Sequence, residues 1–515
     1  MRLPPNDMTG EKWNETHVQT GDYPPQTYLL IDDLFIARQE GTRRVAVKPQ
    51  KLPEPVLKGD KPWEGNQVWL HNGFFYDQDE KLFKIYYHSH DPSHEERHPQ
   101  IIWPHQRVYA YSHDCLHWEK PELGLVEWNG STKNNIVDFG EPSGGDGPNT
   151  NVFKDYNEPD GDRRYKAMGT ERHLREPGER AKGWKGGPDP VLTPLHVGWF
   201  LYDSPDGFTW KRRPRNLMTN AMAMDGSTMH GYDEDYQAWI FWLRARAGWR
   251  GDPPSRPATT SKYRTIGVSF TRDLEKIPYP QMILAPDESD PPGMQFNSLG
   301  SIKVPGGYVG LLNTSGSYDT SPFSFWTAQL AFSRDARVWG RPAGREAYVR
   351  GDEGGWDQTY GAPGNPVQVG DDIYIIYSGY AQDESVGCVN SAPSGIGLAR
   401  LKRDRWAAIE PVGPNGALLT QPTYWAQPRL SINAEAPQGS IRAELLDPWG
   451  RPVEGDTVEE SDRFTGDDLD HLMTWQGKAE IPQEVIGAAH WQGNPGRLMS
   501  IRFYLDSARL YSFTC

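Results

Sequence analysis

Cysteine is scarce in this chain: Cys115, Cys388 and Cys515 are all there is in 515 residues. Three thiols make no disulfide framework and match no metal-ligand spacing, although two of them could pair. No apolar run approaches the ~18 residues of a membrane-spanning helix. No long stretch repeats apolar residues at i, i+3, i+4 and i+7, which excludes a helical protein. Basic charge is in deficit, with 54 Lys and Arg against 69 Asp and Glu and a formal net charge of −15. Nucleic acid and anionic membrane are therefore not expected as partners. The opening Met1-Arg2-Leu3-Pro4-Pro5-Asn6-Asp7 lacks the apolar centre of a leader peptide. We expect a cytoplasmic protein, or a secreted one if a leader has been trimmed. No cofactor or metal motif is found, so neither is expected.

What the chain does hold is aromatic residues and turn formers: 20 Trp, 24 Tyr, 17 Phe, 53 Gly and 44 Pro. That mixture suits many short strands joined by tight loops. Strong β runs recur, among them Leu82-Phe83-Lys84-Ile85-Tyr86-Tyr87, Ala238-Trp239-Ile240-Phe241-Trp242 and Ile373-Tyr374-Ile375-Ile376-Tyr377. After each pair of runs comes a turn with Asp, usually followed by Trp. The copies centre on Asp114, Asp206, Asp273, Asp335 and Asp404, at intervals of roughly sixty to ninety residues. A fixed turn repeated in this way marks a radial repeat, in which small sheets stack on one another around an axis. These aspartates sit beside turn residues in every copy, so they are read as binding turn amides, and their Trp partners as packing.

Five copies predict an all-β protein: a five-bladed β-propeller followed by a C-terminal β-sandwich. Residues 1–26 read as an N-terminal arm and 27–420 as the propeller. Residues 421–515 read as the sandwich, because Leu430–Ala434, Ile441–Leu446 and Met499–Leu505 alternate apolar and polar side chains. Two polar insertions, near 171–190 and 245–262, are long enough to be either disordered or part of a binding rim.

The strands with their S-x-D-x-x-x-W turns, the sandwich ending Ala508-Arg509-Leu510-Tyr511-Ser512-Phe513, and the segment Asn72-Gly73-Phe74-Phe75-Tyr76-Asp77 resemble the glycoside hydrolase family 32 group. That resemblance implies a five-bladed propeller acting on a carbohydrate substrate. The departures are as specific as the likeness. The family's nucleophilic Asp would fall on Leu70, no R-D-P stands in the second blade, and Asp225-Gly226-Ser227 replaces E-C-P in the third. The resemblance thus carries the architecture but not the fructoside chemistry.

In such a propeller the start of each innermost strand faces the axis. Those starts read Trp63-Glu64-Gly65, Asn149-Thr150-Asn151, Asp225-Gly226-Ser227, Gln295-Phe296-Asn297 and Trp356-Asp357-Gln358. Carboxylates in three of five equivalent slots suit glycosidic-bond cleavage, which needs one carboxyl to protonate the leaving oxygen and another to attack or to activate water. The expected catalytic set is Glu64, Asp225 and Asp357, with Glu64 and Asp225 as the working pair and Asp357 orienting substrate. Trp63, Asn151, Arg244, Asn297 and Trp356 are the expected substrate-binding residues: amides and Arg for hydroxyls, indoles for sugar faces. The histidines His88, His90, His94, His98 and His105 read as a solvated polar loop, since no partner completes a metal spacing. Two other functions stay open: a lyase on a uronate-containing glycan, favoured by these histidines with Arg107, and a non-catalytic carbohydrate-binding propeller.

Overall fold

A computed structural model describes residues 25–90, 106–140, 144–172, 197–215, 217–219, 228–245, 264–291, 294–315, 327–361, 364–381, 393–425, 427–481 and 498–515. The arm at 1–26 and both polar insertions lie almost wholly outside these. The only helical element among the described residues is the 3-10 turn Gly161–Arg163. The chain divides into two compact units, residues 46–406 and residues 1–45 with 407–515.

The larger unit contains five antiparallel sheets, which are the five predicted blades. Blade I has Val68–Trp69 and Phe74–Asp77 innermost, then Leu82–Ser89 and Gln106–Ser112. Blade II begins with Gly144–Lys154, followed by Tyr165–Arg172 and Val197–Ser204. Thr228–Asp233, Ala238–Ala245 and Thr265–Thr271 lead blade III, and Gln295–Val304, Gly307–Ser315 and Thr327–Ser333 lead blade IV. Blade V has Thr359–Gly361 and Val367–Val369 innermost, then Asp372–Tyr380 and Ser394–Lys402. Its outer strand comes from far upstream: Gln50–Lys51 and Leu57–Lys58 pair with Ser394–Lys402 and so close the ring. Closure of this kind ties the first part of the unit to its last blade.

Side chains between blades form separate apolar cores, in keeping with strands buried on both faces. Phe241, Trp199, Leu201 and Met168 pack blade II on blade III, and Trp242, Phe296, Leu299 and Leu312 pack blade III on blade IV. The repeated turn works as its residues suggest. Asp114 accepts the amides of Leu116 and His117 at 2.8 and 2.9 Å, while Ser112 Oγ accepts that of Cys115 at 2.9 Å. Asp206 and Asp335 repeat the pattern, and Asp273 repeats it with Thr271 in place of Ser. Asp404 departs from it, taking a left-handed backbone at φ 65°.

The smaller unit is built on ten paired strands. Its central strand, Ser431–Leu446, pairs with Arg509–Thr514 over its first part, where the register shifts between Asn433 and Ala434, and with Leu498–Asp506 in continuous register over its second. A strand that changes partners through a bulge carries the chain from one layer of a sandwich to the other. Tyr28, Trp425, Ile441, Phe503 and Phe513 fill the core. The expected boundaries move here. Thr27–Leu29 pairs with Arg509–Thr514, and Ile36–Glu40 with Asn415–Thr420, so residues 27–45 and 407–420 belong to this unit and not to the propeller. Nothing local marks them, because their partners lie hundreds of residues away.

Candidate functional site

Innermost strands all run the same way, giving the propeller axis a leading end, where they start, and a trailing end. One residue from each blade meets on the axis between the two. Asn72 Nδ2 donates to Asn151 Oδ1 and to the carbonyl of Met229, both at 3.0 Å. The amide of Met229 donates back to Asn151 Oδ1 at 2.7 Å. Asn365 gives its backbone N–H to Asn72 Oδ1 at 2.9 Å and its Nδ2 to the Met229 carbonyl at 2.7 Å, and its own Oδ1 accepts Ser301 N–H at 2.9 Å. Blades I to V are thus pinned by three side-chain amides whose donors and acceptors largely satisfy one another. Asn151, expected to bind substrate, is a member of this pin. Asn72 and Asn365 were not expected as site residues; they stand just before Phe74–Asp77 and Val367–Val369, outside any strand, which is why no strand pattern marks them.

Glu64 and Asp357 do occupy the same slot in blades I and V, each following a Trp. What surrounds them is a clamp built twice. Glu64 is fully buried; Oε1 accepts the Tyr87 hydroxyl at 2.5 Å, and Oε2 accepts Lys120 Nζ at 2.6 Å and the amides of Asp60 and Lys61 at 3.1 and 3.2 Å. Asp357, also buried, accepts Lys51 Nζ at 2.7 Å, the Tyr377 hydroxyl at 2.9 Å and the amide of Asp352 at 3.1 Å. In each case the Tyr comes from the second strand of the blade and the Lys from its outer edge. Gly379 makes room for the second clamp: a Cβ there would come within 2.5 Å of Asp357 and Trp356. Trp63 Nε1 donates to Asn135 Oδ1 at 2.6 Å and Trp356 Nε1 to the Pro53 carbonyl at 3.0 Å, so both indoles are tied into the clamps. Each carboxylate thus meets three or four donors, one of them a lysine. Glu64 was expected in the acid, base or nucleophile role and Asp357 in orienting substrate; the partners found around each are those of a strand-start clamp, and the Nε1 atoms of Trp63 and Trp356 are bonded within the chain.

Asp225 lies outside the described residues, which resume at Thr228. Arg244 and Asn297 are brought together at the leading end between blades III and IV. Arg244 Nε donates to the Asn297 carbonyl at 2.9 Å, Arg264 Nη1 donates to Asn297 Oδ1 at 2.5 Å, and Asn297 Nδ2 donates to Ser315 Oγ at 2.7 Å. Beside them stands an unusual pair. Ser298 and Asn313 are cross-strand neighbours, both buried, and neither the Ser298 hydroxyl nor either polar atom of the Asn313 amide has a hydrogen-bond partner. Buried polar atoms are nearly always satisfied, so a hydroxyl and an amide left without partners side by side are uncommon. Each blade also roots its second-to-third-strand connection at this end, at Ser89 and Gln106, Arg172 and Val197, Ala245 and Thr265, Ser315 and Thr327, and Tyr380 and Ser394. The loops themselves lie outside the described residues.

His88 is fully buried, stacked on Trp69 with ring centroids 5.2 Å apart and edge-on to His71 at 5.1 Å, which corrects its reading as part of a solvated loop. His94, His98 and His105 fall outside the described residues. No cluster of three or more His, Cys, Asp or Glu with metal-site geometry occurs among the described residues.

No protein-family profile matches the chain, and no curated protein matches it. Solved structures do. A fructofuranosidase from Schwanniomyces occidentalis is 13% identical over 92% of this chain and 99% of its own, with a TM-score of 0.41. A thermostable family-43 glycoside hydrolase is 14% identical over 66% of this chain and 90% of its own, at 0.40. A Bombyx mori family 32 β-fructofuranosidase is 11% identical over 90% of this chain and 93% of its own, at 0.39. At such distances these likenesses carry no argument about substrate or catalytic residues.

Proposed function

We propose that this protein is a glycoside hydrolase acting on a small sugar or glycan chain end at the leading end of the propeller axis. What carries the reading is the Ser298–Asn313 pair beside Asn297, Arg264 and Arg244. A buried hydroxyl and a buried amide, both unsatisfied, offer donor and acceptor together, which is what a sugar hydroxyl requires. Rooting a long connection from every blade around that spot adds the usual means by which a rigid scaffold acquires a binding rim.

Within this proposal Asp225 is the carboxylate that acts on the glycosidic bond. In the sequence it stands three residues before Thr228, where the innermost strand of blade III starts. The chemistry requires a second carboxyl, to complete the acid and nucleophile or base roles. Glu64 and Asp357 act through the strand starts that they hold and are positioning residues. Arg244 and Arg264 favour one variant reading, a glycan bearing a uronate, because a guanidinium fork suits a carboxylate. Product analysis on neutral and uronate-containing glycans separates the cases. New reducing ends without ultraviolet absorbance support hydrolysis, an unsaturated product supports elimination, and binding without turnover leaves a lectin-like propeller.

A further inference from the structure

The axial pin splits the channel, and the trailing side holds a cavity that the proposed chemistry leaves unused. Its volume is about 300 Å³, and it is lined by the segments that follow the pin in all five blades, including Phe75, Phe153, His230, Ile302, Lys303 and Pro366. That size lies at the lower bound for small-molecule pockets. The amides at its floor are taken up with one another, so any directional recognition falls to His230.

His230 is linked through Ser301 to Trp242. Its Nδ1 lies 2.7 Å from Ser301 Oγ, and Ser301 Oγ lies 2.6 Å from Trp242 Nε1. An indole nitrogen can only donate, so Trp242 gives its N–H to Ser301. That leaves the Ser301 hydroxyl able to give its own proton to His230 Nδ1. In that arrangement the ring proton of neutral His230 is on Nε2. Burial, with a smaller contribution from the nearby Lys303 ammonium, pulls the imidazole pKa down to about 4 against the opposing effects of Asp233 and of the Ser301 backbone, so the ring is neutral at ordinary pH. Lys303 adds little positive charge to the cavity, since its ammonium is held by Asp233 at 3.1 Å and Asp235 at 2.9 Å. The cavity thus presents a fixed neutral donor, apolar walls and a cation already neutralised.

We propose that the trailing-end cavity is a second binding site, separate from the leading-end site, for a small uncharged hydroxylated ligand of monosaccharide or polyol size whose oxygen accepts from His230 Nε2–H. Anions are disfavoured because the two aspartates outweigh the lysine behind the wall.

The test follows the ring nitrogens of His230 by NMR in the full-length, histidine-labelled protein, titrated separately with xylose, glycerol and acetate. The proposal expects an Nε2–H tautomer and a saturable shift of the His230 signal with xylose or glycerol at millimolar concentration, with none for acetate. Asp225→Asn should leave the shift in place, which separates this site from the proposed catalytic one. His230→Phe should abolish saturable binding. Ser301→Ala, a milder change, should mix the tautomers and weaken binding about tenfold, roughly the worth of one hydrogen bond. An Nδ1–H tautomer, a response to acetate alone, or no response of His230 to either neutral probe would overturn the proposal.

Discussion

Glu64 and Asp357 show how a carboxylate's neighbours decide its task. Each binds a lysine and a tyrosine that the local sequence does not reveal. Lys120 is 56 residues from Glu64, and Lys51 is 306 from Asp357. If they are clamps, Glu64→Gln and Asp357→Asn should each cost about 3 kcal/mol of stability, the usual penalty for breaking a buried pair. Activity per folded molecule should persist, read from thermal unfolding together with active-site-normalised turnover. Variants with unchanged unfolding but no turnover would return the two residues to the chemistry. The slot was legible in the sequence because W-E and W-D recur before equivalent strands; the saturation of that slot was not, since it depends on contacts across the blade.

Asp456, in the smaller unit, is the opposite case. Its carboxyl is buried, Oδ2 has no partner, and burial with the nearby Glu460 charge raises its pKa to about 6. The folded state therefore binds this proton more tightly than the unfolded state does. The cost is fully present above about pH 6 and disappears as pH falls below the ordinary Asp value of about 4. Asp456→Asn should stabilise the protein at pH 7 to 8, by at most about 3 kcal/mol, and the gain should vanish near pH 4. Denaturant unfolding across that range checks it; a gain independent of pH would contradict the account.

At the scale of elements, the blades were legible because each carries its own turn chemistry. Ser112 with Asp114 and Ser333 with Asp335 close their hairpins through bonds that span two or three residues. Ring closure by Gln50–Lys51 and Leu57–Lys58 was not legible, because these are short segments paired with a strand more than three hundred residues on. The same distance hid the true extent of the smaller unit. The pin joins the blades more directly than any loop. Asn72→Ala should remove hydrogen bonds to blades II, III and V at once and leave buried partners unsatisfied, costing about 2–4 kcal/mol. Asn72→Asp should be nearly as damaging, since it replaces the shared Nδ2 donor with an acceptor facing Asn151 Oδ1. Equilibrium unfolding of both variants measures this, and wild-type stability in either would mean that the pin holds nothing.

For the whole molecule, the account places chemistry at the leading end of the axis, structure at the pin, and a separate small-ligand cavity at the trailing end. Within the proposal Glu64 and Asp357 hold strand starts, and Asp225 is the residue on which the hydrolysis turns. The direct measurement is glycan turnover by the wild type and by Asp225→Asn, with thermal unfolding recorded for both. The account predicts new reducing ends from the wild type, a rate at least about a thousandfold lower in the variant, and matching unfolding temperatures. Full turnover by Asp225→Asn, or loss of turnover that simply tracks loss of fold, would contradict it.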